Sequence, residues 1–132
     1  MGRFAIAVVL GALVVTPTFA EDPDSTKVAS ISAVELHERR ESGAAPVAID
    51  VRTPEEYASG HIPGAVNIPF DQVAQRIAEI DAPHGVALYC MIGPRARKGE
   101  SALLAAGYEK IFHLEGGLAA WIAADLPVEG AR

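Results

Sequence analysis

The chain has 132 residues, room for one domain of ordinary size and not for two. Half of the residues are apolar and 21% are charged, which is the composition of a globular chain and excludes a disordered tail. The net charge of −6, with no long basic run, excludes the electrostatic footprint that nucleic-acid phosphates require.

In chain order, the first segment reads as an export leader. Gly2 and Arg3 give a short positive start, and the 17 residues from Phe4 to Ala20 carry no charge. Pro17 interrupts the run, and Thr18-Phe19-Ala20 offers small residues at the two positions a signal peptidase reads. Residues 1–20 are therefore expected to be a cleaved signal peptide and the mature protein periplasmic, without stable membrane association. The alternative is an uncleaved N-terminal anchor, for which the apolar run is short and broken. Residues 21–27 read as a polar lead-in, and 28–132 as the folded domain.

Within that domain, Val28 to Ile31 suits a short strand. Ser32-Ala33-Val34-Glu35 is a capping-box pattern opening a helix to about Glu41, with Gly43 past its end. The apolar run from Pro46 to Val51 suits a buried strand. Thr53-Pro54-Glu55-Glu56 places an N-cap, a proline at the first helical position and the closing glutamate of a second box; Gly60 ends that helix. The proline-rich stretch from Ile62 to Pro69 leaves room for a short strand near Val66. Asp71 is expected to cap a helix that aligns Val73, Ile77 and Ile80 on one face. Val86 to Tyr89 reads as a buried strand ending at Cys90. A helix follows from Ala96 to Ala106, then a strand from Ile111 to Leu114 and a last helix from Leu118 to Ala123. Strands alternating with helices give one α/β domain with a mostly parallel central sheet flanked by helices. In such sheets ligands sit beyond the carboxyl ends of strands, where Cys90 falls.

Cys90 is the only cysteine. In an exported chain an unpaired cysteine means intermolecular pairing or a reactive thiol; the bland alternative is a small buried hydrophobe. Its neighbours favour the reactive reading. The segment Cys90-Met91-Ile92-Gly93-Pro94-Arg95 runs from a strand end through a tight loop into a helix N-terminus, where unpaired N–H groups and the helix dipole favour negative charge. A thiol so placed can have its pKa lowered from about 8.5 to roughly 3.5–7.5. Arg95, Arg97 and Lys98 add positive charge suited to an anionic substrate.

Taken in order, Ile49-Asp50-Val51-Arg52, Glu56-Tyr57, Gly60 to Pro69, Tyr89-Cys90 with Gly93 and Arg95, Gly107-Tyr108, and Glu115-Gly116-Gly117 with Trp121 resemble the rhodanese family of sulfurtransferases. The resemblance runs from about Ile31 to Trp121 and is similar in kind to the small periplasmic rhodaneses of bacteria. It implies a sulfurtransferase in which Cys90 attacks thiosulfate or a similar anionic donor, holds the sulfur as a persulfide, and yields it to cyanide or a thiol. It also implies that Met91, Ile92, Gly93, Pro94 and Arg95 form the substrate loop, with Arg95 orienting the donor. No cofactor or metal is implied, because the persulfide is itself the carrier. Pro94 departs from the simplest loop, since it lacks an N–H and removes one possible donor.

Several residues carry blander readings. Asp50 and Arg52 are expected to be structural, the carboxylate satisfying N–H groups at a strand end and the arginine pairing with Glu55 or Glu56. His61, in a Pro/Gly loop, is a possible catalytic group, and Arg97 and Lys98 are possible donor contacts or simply solvated. His37, His84 and His113 lack ligand spacing to one another or to Cys90, which argues against a zinc site. Two rival functions remain. One is a phosphatase or arsenate reductase of related fold, against which the four residues between Cys90 and Arg95 make a short loop for ringing a tetrahedral oxyanion. The other is a non-enzymatic sulfur carrier or partner-binding module. Nothing in the sequence suggests an obligate interface, so a monomer is expected.

Overall fold

The computed structural model describes residues 28–130 together with Gly2, Gly11 and Ala12. The expected leader and the lead-in at 21–27 lie outside the described residues, apart from those three positions. Among the described residues no helix is long and apolar enough to cross a membrane.

Five strands form one sheet: β1 (Val28–Ile31), β2 (Val47–Asp50), β3 (Val66–Asn67), β4 (Val86–Tyr89) and β5 (Ile111–Leu114), in the spatial order β1-β5-β4-β2-β3. Every pairing is parallel. The crossovers carry helices, as parallel pairing demands: α1 (Ala33–Glu41), α2 (Pro54–Ser59), α3 (Val73–Arg76) and α4 (Pro94–Ala105), and α5 (Gly117–Ala123) follows the last strand.

The core has two layers, one on each face of the sheet. On one face Leu36 of α1 and Leu118 and Trp121 of α5 pack on Ile31, Ala48, Ala87, Tyr89 and Leu114. On the other, Val73 of α3 and Ala96 and Leu103 of α4 pack on Ile49, Val86, Leu88 and Ile111, and Cys90 belongs to this layer. The central strands are thus covered on both sides, which is why β4 reads as an unbroken apolar run with all four residues buried.

The expected caps hold in part. Ser32 Oγ accepts the Glu35 N–H at 3.1 Å, but the Glu35 carboxylate pairs with Arg39 rather than closing the box. The second box is complete: Thr53 accepts from Glu56 N, and the Glu56 carboxylate reaches back to Thr53 N. The helix expected from Asp71 is shorter than its pattern suggests. It begins at Val73, with Gln72 at the cap position making no capping side-chain bond, and passes into a 3₁₀ turn at Ile77–Glu79. Asp71 is not its cap. It stands one residue ahead of the cap position, which Gln72 occupies. Likewise α4 starts at Pro94, two residues before the expected Ala96, because proline is well suited to the first helical position.

Candidate active site

The end of β4 delivers Cys90 to the loop that opens α4. The loop is pinned from the α5 side: Leu118 N–H donates to the Cys90 carbonyl at 2.9 Å, and Ala119 N–H to the Met91 carbonyl at 3.0 Å. In a planar trans peptide the C=O and N–H point opposite ways. Fixing those two carbonyls onto α5 therefore turns the Met91 and Ile92 N–H groups away from it. The close approach rests on Gly117, at φ 59°, where a Cβ would stand 2.6 Å from both carbonyl oxygens.

Inside the loop, the Gly93 N–H donates to Cys90 Sγ at 3.0 Å. Gly93 is the N-cap of α4 and supplies no side-chain cap. The sulfur thus stands where a helix receives a capping acceptor, in the field of the helix's positive end. Helix geometry leaves the Arg95 and Ala96 N–H groups without intrahelical acceptors, while Arg97 N–H bonds the Gly93 carbonyl. The missing N–H of Pro94 does not remove the bond seen here, which comes from the residue before it. The thiol is free, unlinked by a disulfide. The residue is only 1% exposed. It borders a cavity of about 340 Å³ lined also by Met91, Ile92, Pro94 and Arg95, so access is through a recess. Met91 and Ile92 form an exposed apolar rim.

Arg95 reaches this cavity but is not unengaged. Its two terminal nitrogens donate to Glu56 Oε1 and Oε2 at 2.6 and 3.0 Å. That pair, against the opposing cost of burial and with help from Thr53, holds the Glu56 carboxyl down at about 2. The same bond raises Arg95 above its ordinary value, and the nearby Cys90 adds to the shift. The expectation that Glu55 or Glu56 pairs with Arg52 is corrected accordingly.

Arg52 instead turns back on Asp50. Its Nε and terminal nitrogen donate to both carboxylate oxygens, the shortest contact being 2.6 Å, and the same terminal nitrogen donates to the Gly60 carbonyl at 2.7 Å. Asp50 also accepts the Arg52 backbone N–H at 3.0 Å. Both side chains are buried. Burial alone would lower the Arg52 pKa, but the hydrogen bond and charge of Asp50 raise it. The neighbouring Tyr89 hydroxyl accepts Ile62 N–H, and its pKa is pushed up by burial first and by Asp50 second. Asp50 and Arg52 lace the end of β2 to the loop before Ile62.

His61 is employed elsewhere. Its ring stacks on Tyr57 at 3.7 Å, Nδ1 contacts the Tyr57 carbonyl at 2.8 Å, and its backbone pairs with Glu129 near the C-terminus. It does not line the Cys90 cavity. Lys98 lies over the Phe70 ring at 5.4 Å, and Arg97 lines a different cavity with His113 and Glu115. Among the described residues no three of His, Cys, Asp and Glu converge to hold a metal.

Two partnerships escaped the sequence reading. Glu56 was read as a cap-box residue and as a possible partner of Arg52, and nothing in its local pattern shows that Arg95 comes to it across the fold. Glu100 is buried with His113, whose Nδ1 lies 2.7 Å from Oε2. For this pair a signal existed. Ala96, Glu100 and Leu103 share one helical face at three- and four-residue spacing, so the carboxylate falls on the core side and needs a partner.

Comparison with known proteins agrees with the fold. The rhodanese-like domain family matches residues 32–124. An HTH-type transcriptional regulator of Mycobacterium tuberculosis is 40% identical over 105 residues, covering 77% of this chain and 46% of that protein. A sulfurtransferase of Allochromatium vinosum is 36% identical over 80 residues, 61% of this chain and 75% of that one. The chain thus spans about half the length of the regulator and three quarters of the sulfurtransferase. Among solved structures, a rhodanese-related protein of Thermoplasma volcanium superposes with a TM-score of 0.67 at 29% identity, covering 77% of this chain and 98% of that chain. The sheet order, the cysteine loop and these likenesses agree: the chain belongs to the rhodanese-like domain family.

Proposed function

We infer that the protein moves sulfane sulfur from thiosulfate, or a similar small anionic donor, to a thiophilic acceptor through a persulfide on Cys90. The observation that supports this best is the 3.0 Å hydrogen bond from Gly93 N–H to Sγ at the start of α4. A sulfur in that position has its negative charge met by an amide proton and a helix dipole.

The Cys90 thiolate attacks the outer sulfur of thiosulfate. The bond from that sulfur to the sulfonate breaks, sulfite leaves with the electron pair, and Cys90 carries a persulfide anion. Cyanide or a thiolate then attacks the terminal sulfur, thiocyanate or a new persulfide departs, and the Cys90 thiolate returns. No proton, metal or external electron is needed in either step. The N–H groups at the mouth of α4 face a negative sulfur before and after each transfer. Arg95, anchored by Glu56, offers its remaining field to the donor's sulfonate.

Purified protein incubated with thiosulfate should gain about 32 Da on Cys90, the chemistry of a persulfide. Subsequent cyanide should release thiocyanate and remove that mass. Cys90→Ser should do neither. Phosphatase turnover dependent on Cys90 would rank the phosphatase reading first instead. A second reading, a carrier dedicated to one protein acceptor, draws on the exposed rim of Met91 and Ile92, 39% and 65% accessible. It is favoured if the persulfide forms but cyanide and small thiols discharge it slowly. Export rests on the leader pattern alone; protein recovered from a periplasmic fraction should then begin at Glu21.

A further inference from the structure

Next to the Cys90 recess lies a second and larger cavity, of about 750 Å³, which the transfer steps above do not use. The two share a wall, since Ile92 and Pro94 line both. Its volume falls within the roughly 300–1,000 Å³ of ordinary small-molecule sites. A cyanide ion needs far less.

One nearly buried side chain opens into this space with an unused acceptor. His113, its side chain 6% exposed, gives Nδ1 to Glu100 at 2.7 Å. A carboxylate on Nδ1 places the ring proton there, so Nε2 of the neutral imidazole keeps its lone pair. Nε2 makes no hydrogen bond among the described residues, whose hydrogen bonds involve Nδ1 alone. Yet among those residues no buried side-chain nitrogen is sealed from solvent without a partner. Nε2 therefore opens on the cavity that His113 lines.

Two charges of opposite sign line the same cavity. Arg97 comes from the first turn of α4, and Glu115 from the residue just past β5, two beyond His113. Both are exposed. Among the described residues neither is in an ion pair, and they do not bridge each other. A cation on the α4 side, facing an anion and a lone pair on the β5 side, complements a ligand with a carboxylate at one end and an ammonium at the other.

We propose that this cavity is the acceptor site for sulfur: it takes a small thiol bearing a free amino and a free carboxyl group, and holds it against the wall shared with Cys90. Arg97 receives the carboxylate, and Glu115 with His113 Nε2 receives the ammonium. The site rests on the reading of Cys90 as a sulfur carrier and names the class of molecule that discharges it. The thiol loses its proton to solvent and attacks the outer sulfur of the Cys90 persulfide. The bond from that sulfur to Cys90 breaks, its electron pair stays on Cys90 as thiolate, and the thiol departs as its own persulfide.

The test loads Cys90 from thiosulfate, removes the excess, and follows loss of the added mass of about 32 Da in single turnovers. L-Cysteine, 2-mercaptoethanol and cyanide are compared as acceptors, each rate constant divided by that for cyanide with the same protein. In Arg97→Gln and in Glu115→Gln the L-cysteine ratio should fall about threefold, the scale of one partly exposed charge contact. In the double variant it should fall about tenfold, while the ratio for 2-mercaptoethanol, which carries neither charge, holds. An unchanged L-cysteine ratio in the double variant, or a 2-mercaptoethanol ratio that falls as far, overturns the proposal. If thiosulfate does not load Cys90, the reading of the reaction fails, and the cavity is judged by binding alone. S-methyl-L-cysteine keeps both charges and cannot accept sulfur. It should shift the His113 ring signals in the NMR spectrum of the full chain, and the double variant should need about tenfold more of it. No shift, or equal affinity in the two proteins, overturns the site.

Discussion

Glu56 and Arg95 meet across 39 positions of chain, their carboxylate and guanidinium joined by two hydrogen bonds of 2.6 and 3.0 Å at the edge of the Cys90 cavity. The contact ties the N-terminal turn of α2 to that of α4. It both aims the arginine and offsets part of its charge, so the residue that would attract an anionic donor is already shared.

Removing that competitor should help the donor. Glu56→Gln is expected to lower the thiosulfate KM roughly two- to fivefold, the scale of a partly exposed charge interaction of about 0.5–1 kcal/mol. Arg95→Ala should raise it with less effect on kcat. Initial-rate kinetics over a range of thiosulfate separates the two; a KM that rises in Glu56→Gln shows that aiming outweighs charge.

The same pair sets an acid limit. The Glu56 carboxyl titrates at about 2 in the fold against an ordinary 4.5. Because the folded value is the lower one, the pair adds stability above about pH 4.5 and loses it as pH falls toward 2. The Tm difference between the wild type and Glu56→Gln should shrink across that window. A constant difference from pH 6 to pH 2 would contradict the assignment.

Gly117→Ala should damage the site from a distance in sequence. With φ at 59° and a Cβ 2.6 Å from the Cys90 and Met91 carbonyls, the alanine must push the loop away or strain itself. A loss of about 1–3 kcal/mol of stability is expected, together with at least a tenfold fall in thiocyanate formation. Denaturant melts and turnover measured on the same preparation check both.

Asp50→Asn leaves the buried Arg52 guanidinium without its counter-charge. Breaking a buried pair from one side costs roughly 3–5 kcal/mol, which for a domain this small is a large part of its total stability. The variant should melt far earlier or fail to accumulate. Normal stability would mean that Gly60 and its loop suffice to hold Arg52.

How much of this could be read from the chain depends on the range of the interaction. The central strands were legible because buried parallel strands are apolar runs bounded by turns, and Val86 to Tyr89 is the clearest. The Thr53 to Glu56 box was legible because its bonds close within four residues. Asp71 misled: it had a capping residue's chemistry but stood one residue ahead of the cap position. Cys90 was found from its local setting, a strand end running into a proline-started helix. The Arg95–Glu56 bond was not, since nothing local distinguishes Glu55 from Glu56 as a partner. The depth of the thiol was not legible for the same reason, because the carbonyls of its loop are met by Leu118 and Ala119, distant in sequence.

That recess has a consequence for oxidation. A disulfide requires two sulfurs about 2.05 Å apart, and a thiol only 1% exposed cannot be brought that close to its equivalent in another molecule without opening the loop. With a single cysteine there is also no resolving partner within the chain. Under oxidants the protein is therefore expected to resist covalent dimerisation, its recess admitting narrow reagents while turning away bulky ones.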